Sequence, residues 1–505
     1  MSRPGFLLYV DDQTPPLITL AGSSVNLQQF PTGTRVIYPP EAMPSSDPTA
    51  LIDQALATPS GSEPLAARLR PGMRLTIVVG NVDPVQPMMR FDIRRGIVER
   101  VLEQAARSRV DDVSIVIAGG LGPRWSSQDI VVALGDRVAS SFLPDGMITS
   151  HDVTDSGLVA VATVGNHPVR LSPRIATSDL VVAVDVSHGP RPRCLLAAGA
   201  TDVSTINRIS GLEGGHAACG EVSAAILGEV PVFAITAVLG QPFLQRPLGF
   251  LNRREWEWRL PQQLSYATAR QFVAVMPRQG AQRLHGAPLA DYELCDVVGG
   301  DPAQVLSRAH EVWHAANAVP ASQSHVLITS VWGSSFDPGD PVGSPISAAH
   351  HALVRATGMD SDGPLVAPGG SVVAFHPLSR VFSNRTQAPA SDFFTKVLPE
   401  TRDPRIIRER FEERACTDTW YLKLYREHNA HHPLAVFHTW YAIQRAASQL
   451  DEVIWVGADR TSARVLGHRA ATRLEDALEL CRQTLGDDLR ASYLHAPGTV
   501  AGEPR

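Results

Sequence analysis

The chain has 505 residues, more than a single hydrophobic core organises, so length alone predicts two domains. Hydrophobic residues make up 44%, charged residues 19%, and the net charge is −6, which excludes a basic nucleic-acid stripe and is too mildly acidic to mark a special partner. No apolar run approaches the roughly 18 residues of a membrane span, and residues 1–16 lack the apolar core and small-residue cleavage site of a signal peptide.

Five scattered cysteines with no CxxC pair show neither a disulfide framework nor a zinc site, and they point to a reducing cytoplasm. Lys396 and Lys423 are the only lysines, so lysine chemistry is almost absent from the chain.

The first 70 residues are rich in Pro and Ser, with a short helix expected near 48–57 between loops. A regular pattern then begins. "RLTIVVG" (74–80) is a short β-branched run and predicts a buried strand. Residues 90–108 have helical periodicity, with Ile93, Ile97, Val98, Val101 and Leu102 on one face. "DVSIVIAGG" (112–120) predicts a strand, 126–136 a serine-capped helix, and "DLVVAVDV" (179–186) a third strand. Strands alternating with helices at this spacing imply a parallel sheet. Further strands are expected at 230–240 and 270–277, and a capped helix at 301–319 should link the domains. A second set follows: strands at 324–333, 369–377 and 451–457, helices at 344–358 and 473–486, and a mostly helical stretch over 389–450. The fold expected is two α/β domains with parallel-type sheets and a cleft between them. We expect residues 1–299 to form the first, and 300–505 the second with a helical insertion near 389–450.

In open α/β sheets ligands sit beyond the carboxyl ends of the strands. Three such exits carry polar groups: Asn81, Asp83 and Gln86 after the first strand, Arg124 and Trp125 after the second, and Asp185, His188, Arg191 and Arg193 at the third. Together they suit a small anionic ligand. The alternative is that Pro/Gly-rich exits are turns and nothing more. His428 and His432 are four apart, a metal-binding spacing on a helix, but Pro433 argues against one continuous helix and favours a polar helix junction. "GLEGGH" (211–216) resembles a phosphate loop only loosely, without a Walker lysine.

The order of these segments resembles the nickel-dependent lactate racemase family over roughly residues 40–485. "DQALATPSGSEPLAARLRPGMRLTIVVGNVDPVQP" is similar to the family's opening segment and its "D.TRP" exit. "SIVIAGGLGPRWSSQDI" is similar to the strand followed by "TGTHR". "HDVTDSGLVAVATVGNHPVRLSPRIATSDLVVAVDVSHG" matches the segment that ends in "PH". "SHVLITSVWGS" and "APGGSVVAF" sit where the family has second-domain strands.

The resemblance implies a nickel-pincer nucleotide cofactor and a small 2-hydroxy acid substrate. A histidine takes the 2-hydroxyl proton while hydride passes to the cofactor; the keto acid turns and takes hydride back on its other face. That plan needs two acid/base histidines, a metal-ligating histidine, in many members an anchoring lysine, and a cation for the carboxylate. On the matched positions only His188 is kept, at "PH". The family's arginine falls on Pro84 and its aspartate on Asn81; the "TGTHR" histidine falls on or near Gly122, the lysine near Cys194, and the metal-binding histidine near Ser210. Cys194, beside Arg191 and Arg193, is either a thiolate of lowered pKa or a small buried residue at a helix start. Two functions compete: a divergent isomerase of a hydroxy or keto acid using His188, and a non-catalytic relative binding a nucleotide-like or carboxylate ligand.

Overall fold

A computed structural model describes residues 6–42, 47–81, 89–246, 248–275, 290–332, 344–359, 363–383, 386–496, 498 and 500–502. Its strands in chain order are β1 (Phe6–Tyr9), β2 (Leu17–Gly22), β3 (Ser24–Gln28), β4 (Arg35–Tyr38), β5 (Arg74–Gly80), β6 (Asp112–Ala118), β7 (Ile148–Ser150), β8 (Val159–Val164) and β9 (His167–Leu171). They continue with β10 (Leu180–Ser187), β11 (Val232–Leu244), β12 (Ala290–Gly300), β13 (Ser324–Trp332), β14 (Val366–Phe375), β15 (Glu452–Val456), β16 (Arg469–Ala471) and β17 (Ala491–Leu494).

Two mixed, mostly parallel sheets with helices between their strands make two α/β units. The first runs β12-β11-β10-β5-β6-β7, parallel throughout except for β12, which is antiparallel to β11. Its central strands are apolar on both faces because both faces are covered. Ile77, Val79, Ile115, Val182 and Val184 face one helical layer, while Val78, Val116, Val181 and Ala183 face another. The second sheet runs β1-β4-β17-β13-β14-β15-β16. Residues 6–38, which an expected division at 299/300 assigns to the first unit, hydrogen-bond into this second sheet through β4 and β17 and through β2 and the last two residues of β13.

The chain reverses direction within the first sheet. β5, β6 and β7 are laid down outward on one side, and β10 then returns to pair with β5 on the other. Two neighbouring strands whose connections leave in opposite directions open a crevice at their carboxyl ends, so β5/β10 is where this sheet offers room for a ligand.

The strand expected at 270–277 is a correction. Through Val275 these residues are the tail of a helix, Leu260–Val275, which buries Tyr266 and Ala269. A five-residue apolar run has no period that separates strand from helix. The remaining helices fall close to expectation, and Pro302–Asn317 is capped by Asp301, whose carboxylate accepts from the Ala303 and Gln304 amides at 3.1 Å each. Among the described residues no helix is long and apolar enough to cross a membrane.

The helical stretch after β14 docks onto the first unit. Leu121, Val153 and Ile206 share an apolar cluster with Phe393, Tyr425, Leu434 and Phe437. Around that seam the His432 amide donates to the Leu121 carbonyl at 2.9 Å, and Arg426 ion-pairs Asp152 at 3.3 Å.

Candidate active site at the strand reversal

Asn81 leaves β5 and Trp125 leaves β6, and the two meet: the Trp125 indole N–H donates to Asn81 Oδ1 at 3.0 Å. The Trp125 backbone amide donates to Ser150 Oγ at 2.9 Å, so the residue is held at its backbone and at its ring. Asp185 sits on β10 level with Gly80 on β5, and its carboxylate fills the space a side chain at 80 would need. A Cβ there would lie 2.2 Å from Asp185 Oδ1. Burial pushes the Asp185 carboxyl up to about 6, against the opposing pull of the Val186 amide and the Arg94 charge.

Arg94 is the residue that sequence reasoning missed. It opens the helix Ile93–Arg107, yet is only 2% exposed. Its guanidinium bonds the Gly80 carbonyl and both oxygens of Asp92, and it lies over the Trp125 ring 4.9 Å from its centre. A helix arginine reads as solvated; only the strand exit above it shows why it is buried.

His188, 8% exposed, follows β10 directly, with its ring edge-on to Tyr292 of β12 at 6.3 Å. Two residues on, the Pro190 carbonyl accepts from His310 Nδ1 at 2.5 Å, which ties this loop to the helix Pro302–Asn317.

Asn81, Trp125 and Asp185 therefore gather around β5, with His188 at the end of the adjoining strand. Asp83 and Gln86 lie outside the described residues. Arg124 turns away from the reversal, donating to the Ser150 carbonyl at 3.2 Å and to the Arg426 carbonyl of the second unit at 3.1 Å. Arg191 is half-buried in the loop after His188, and Arg193 is exposed.

Cys194 points away from the crevice into an apolar cluster with Val78, Val116 and Val181, and burial pushes its thiol pKa up. It has the environment of a small core residue, not of an activated thiolate. The glycines after β6 serve close packing: Gly120 takes φ 55°, and a Cβ on it would lie 2.7 Å from the Ala198 carbonyl.

The histidine-rich stretch is a helix junction. One helix, Thr419–His428, stops at Asn429, which takes φ 53°, and the next begins at Leu434. His428 and His432 thus share no helical face. His432 packs edge-on to Tyr425 at 5.3 Å, and burial lowers its pKa to about 4. The segment 211–215 joins two helices, and the Gly214 carbonyl accepts from Arg445 at 2.9 Å, so it does not follow a strand as a phosphate loop would. Among the described residues no group of three or more His, Cys, Asp or Glu is placed to hold a metal ion.

Residues 23–188 match the lactate racemase N-terminal domain family. No curated protein matches the chain. Among solved structures, the lactate racemase apoprotein from Thermoanaerobacterium thermosaccharolyticum is 14% identical with a TM-score of 0.61, over 97% of this chain and 100% of that one. A protein from Thermotoga maritima is 12% identical with a TM-score of 0.45, over 91% of this chain and 100% of that one.

Proposed function

We propose that this chain, which belongs to the lactate racemase family at the level of fold and N-terminal domain, is a divergent member that binds a small 2-hydroxy or 2-keto acid at the β5/β10 crevice and handles its proton with His188. The observation that supports the reading is a buried aspartate at the strand reversal, its carboxyl pushed up to about 6, on the strand whose end carries the one histidine kept from the family pattern. A buried carboxyl with a raised pKa at a strand exit is a candidate for a working site. The reaction class we assign is isomerisation by proton transfer. We also propose that, residues 6–38 apart, the chain passes from the first unit to the second near residues 299/300, with the crevice in the first unit, and that it works in the cytoplasm, in keeping with five free thiols.

The family's cofactor does not fit the residues present. An anchor near Cys194 would need a nucleophile at the surface, whereas that thiol faces the core. Ser210 brings neither nitrogen nor sulfur to the position where the metal-binding histidine falls. We therefore route no step through a nickel-pincer nucleotide.

The test supplies that mature cofactor in excess and follows both lactate enantiomers by chiral chromatography, beside calorimetric titrations with lactate and pyruvate. We expect no interconversion that depends on the added cofactor, and binding that weakens in His188→Ala. Interconversion that disappears in His188→Ala and Cys194→Ala would overturn the reading, and so would titrations that detect neither acid.

A further inference from the structure

Arg35, in β4, is only 9% exposed, and its guanidinium reaches across the amino ends of the neighbouring strands β17 and β13. Nε donates to Ser492 Oγ at 2.9 Å, one terminal nitrogen to Ser322 Oγ at 2.8 Å, and the other to Ser324 Oγ at 3.0 Å and to the Ser322 carbonyl. Every one of these acceptors is neutral. Among the described residues no carboxylate is ion-paired with Arg35 or with Arg490. We propose that Arg35, Arg490, His325 and Ser322, at this rim of the second sheet, form a binding site for a small phosphate-type oxyanion, separate from the β5/β10 crevice.

Three observations carry this. The first is charge. Serine hydroxyls and a carbonyl satisfy the Arg35 N–H groups but supply no counter-charge, and a buried charge is ordinarily paired. Burial lowers the Arg35 pKa; Tyr9 opposes that and Arg490 adds to it, so the neighbouring cation repels this guanidinium.

The second is register. Tyr9 lies opposite Arg35, Arg35 opposite Ser492, and Ser492 opposite Leu327. Side chains alternate along a strand, so Arg490 and His325, two residues before Ser492 and Leu327, belong to the same face as Arg35. The His325 amide donates to the Arg490 carbonyl at 3.0 Å, which carries the β13–β17 pairing out to these two residues.

The third is a surplus of donors at the surface. Arg490 meets His325 with its backbone amide at Nδ1, 3.4 Å away, and with its guanidinium at Nε2, 3.2 Å away. A neutral imidazole has one lone pair, so it accepts one of these and leaves the other N–H for a different acceptor. Ser322 is exposed, and its Oγ accepts from Arg35, which leaves its own O–H to donate. A guanidinium and a hydroxyl polarised by a second guanidinium are donors that suit phosphate oxygens.

Inorganic phosphate and the end group of a phosphomonoester present the same oxygens to such a site. The experiment titrates inorganic phosphate, and separately methyl phosphate, into the full-length protein by calorimetry, in phosphate-free buffer at fixed ionic strength. We expect one equivalent of phosphate bound. Binding of methyl phosphate as well assigns the site to phosphomonoesters, and binding of phosphate alone assigns it to the free ion. Arg490→Gln should weaken binding about tenfold or more, as loss of a charge-assisted hydrogen bond does, and Ser322→Ala should weaken it less. Both residues are exposed, so the variants should fold, which circular dichroism checks. His188→Gln should bind as the parent does. Failure of the parent to bind either anion overturns the proposal, and so does parent-like affinity in folded Arg490→Gln or loss of binding in His188→Gln.

Discussion

Replacing Asp185 by asparagine should stabilise the protein at neutral pH and do progressively less in acid. The carboxyl is buried between Gly80 and Leu195, and its pKa rises from 3.8 to about 6 on folding. The folded state therefore holds the proton more tightly than the unfolded chain. The charged form is penalised above that range, and the penalty fades as pH falls from about 6 toward 3.8. A shift of this size corresponds to about 3 kcal/mol at pH 7.5 and to about half of that at pH 5. Asparagine removes the charge and keeps an oxygen for the Val186 amide, which donates to Asp185 Oδ1 at 2.9 Å. It gives up the attraction of Arg94, so the net gain should be about 1–3 kcal/mol at pH 7.5. Denaturant unfolding of parent and variant at the two pH values, with each unit followed separately, reads the difference directly. An equal effect at both pH values, or destabilisation at pH 7.5, would show that Asp185 is held charged by a partner and would remove the basis for treating it as a proton-handling group.

His376, His432, His438 and His468 are all lowered by burial to about 3 or 4, so each stays neutral in the fold and charges on unfolding. Stability should fall as pH drops below about 6.5, and unfolding at pH 5 should take up about four protons at these sites, measured from unfolding enthalpies in buffers of different ionisation heat. Glu255 accepts from His495 Nε2 at 2.7 Å and from the Ile18 amide at 2.7 Å, both buried; Glu255→Ala should cost about 3 kcal/mol or more, and the double variant with His495→Ala should cost less than the sum of the two singles. Asn207 on the first unit accepts from His438 at 2.9 Å and donates to Glu412 at 2.9 Å on the second, so Asn207→Ala should raise amide exchange in Leu434–Ala447 by the equivalent of about 1–3 kcal/mol; unchanged exchange would deny the network a part in docking.

What the sequence made legible follows from how each residue is covered. β5, β6 and β10 are apolar on both faces, and such runs read as strands without any knowledge of their neighbours. β12 does not: its Asp291, Glu293 and Asp296 stay partly exposed on an edge antiparallel to β11, so its composition resembles a loop. Asn81 and His188 were visible because a strand exit is a local feature. Arg94 was not, because its burial depends on Gly80, Asp92 and Trp125 meeting above one helix turn. The same reasoning separates Cys194 from His188, only six residues apart. The loop turns between them, so the histidine remains at the strand end while the thiol enters the core. Sequence spacing puts both at one site; the direction of the helix start Leu195–Gly199 decides that only the histidine stays there. A chemical role read from neighbouring residue types therefore holds only where the backbone keeps them on one side. For this chain that condition is met at Asp185 beside Gly80 and at Asn81 beside Trp125.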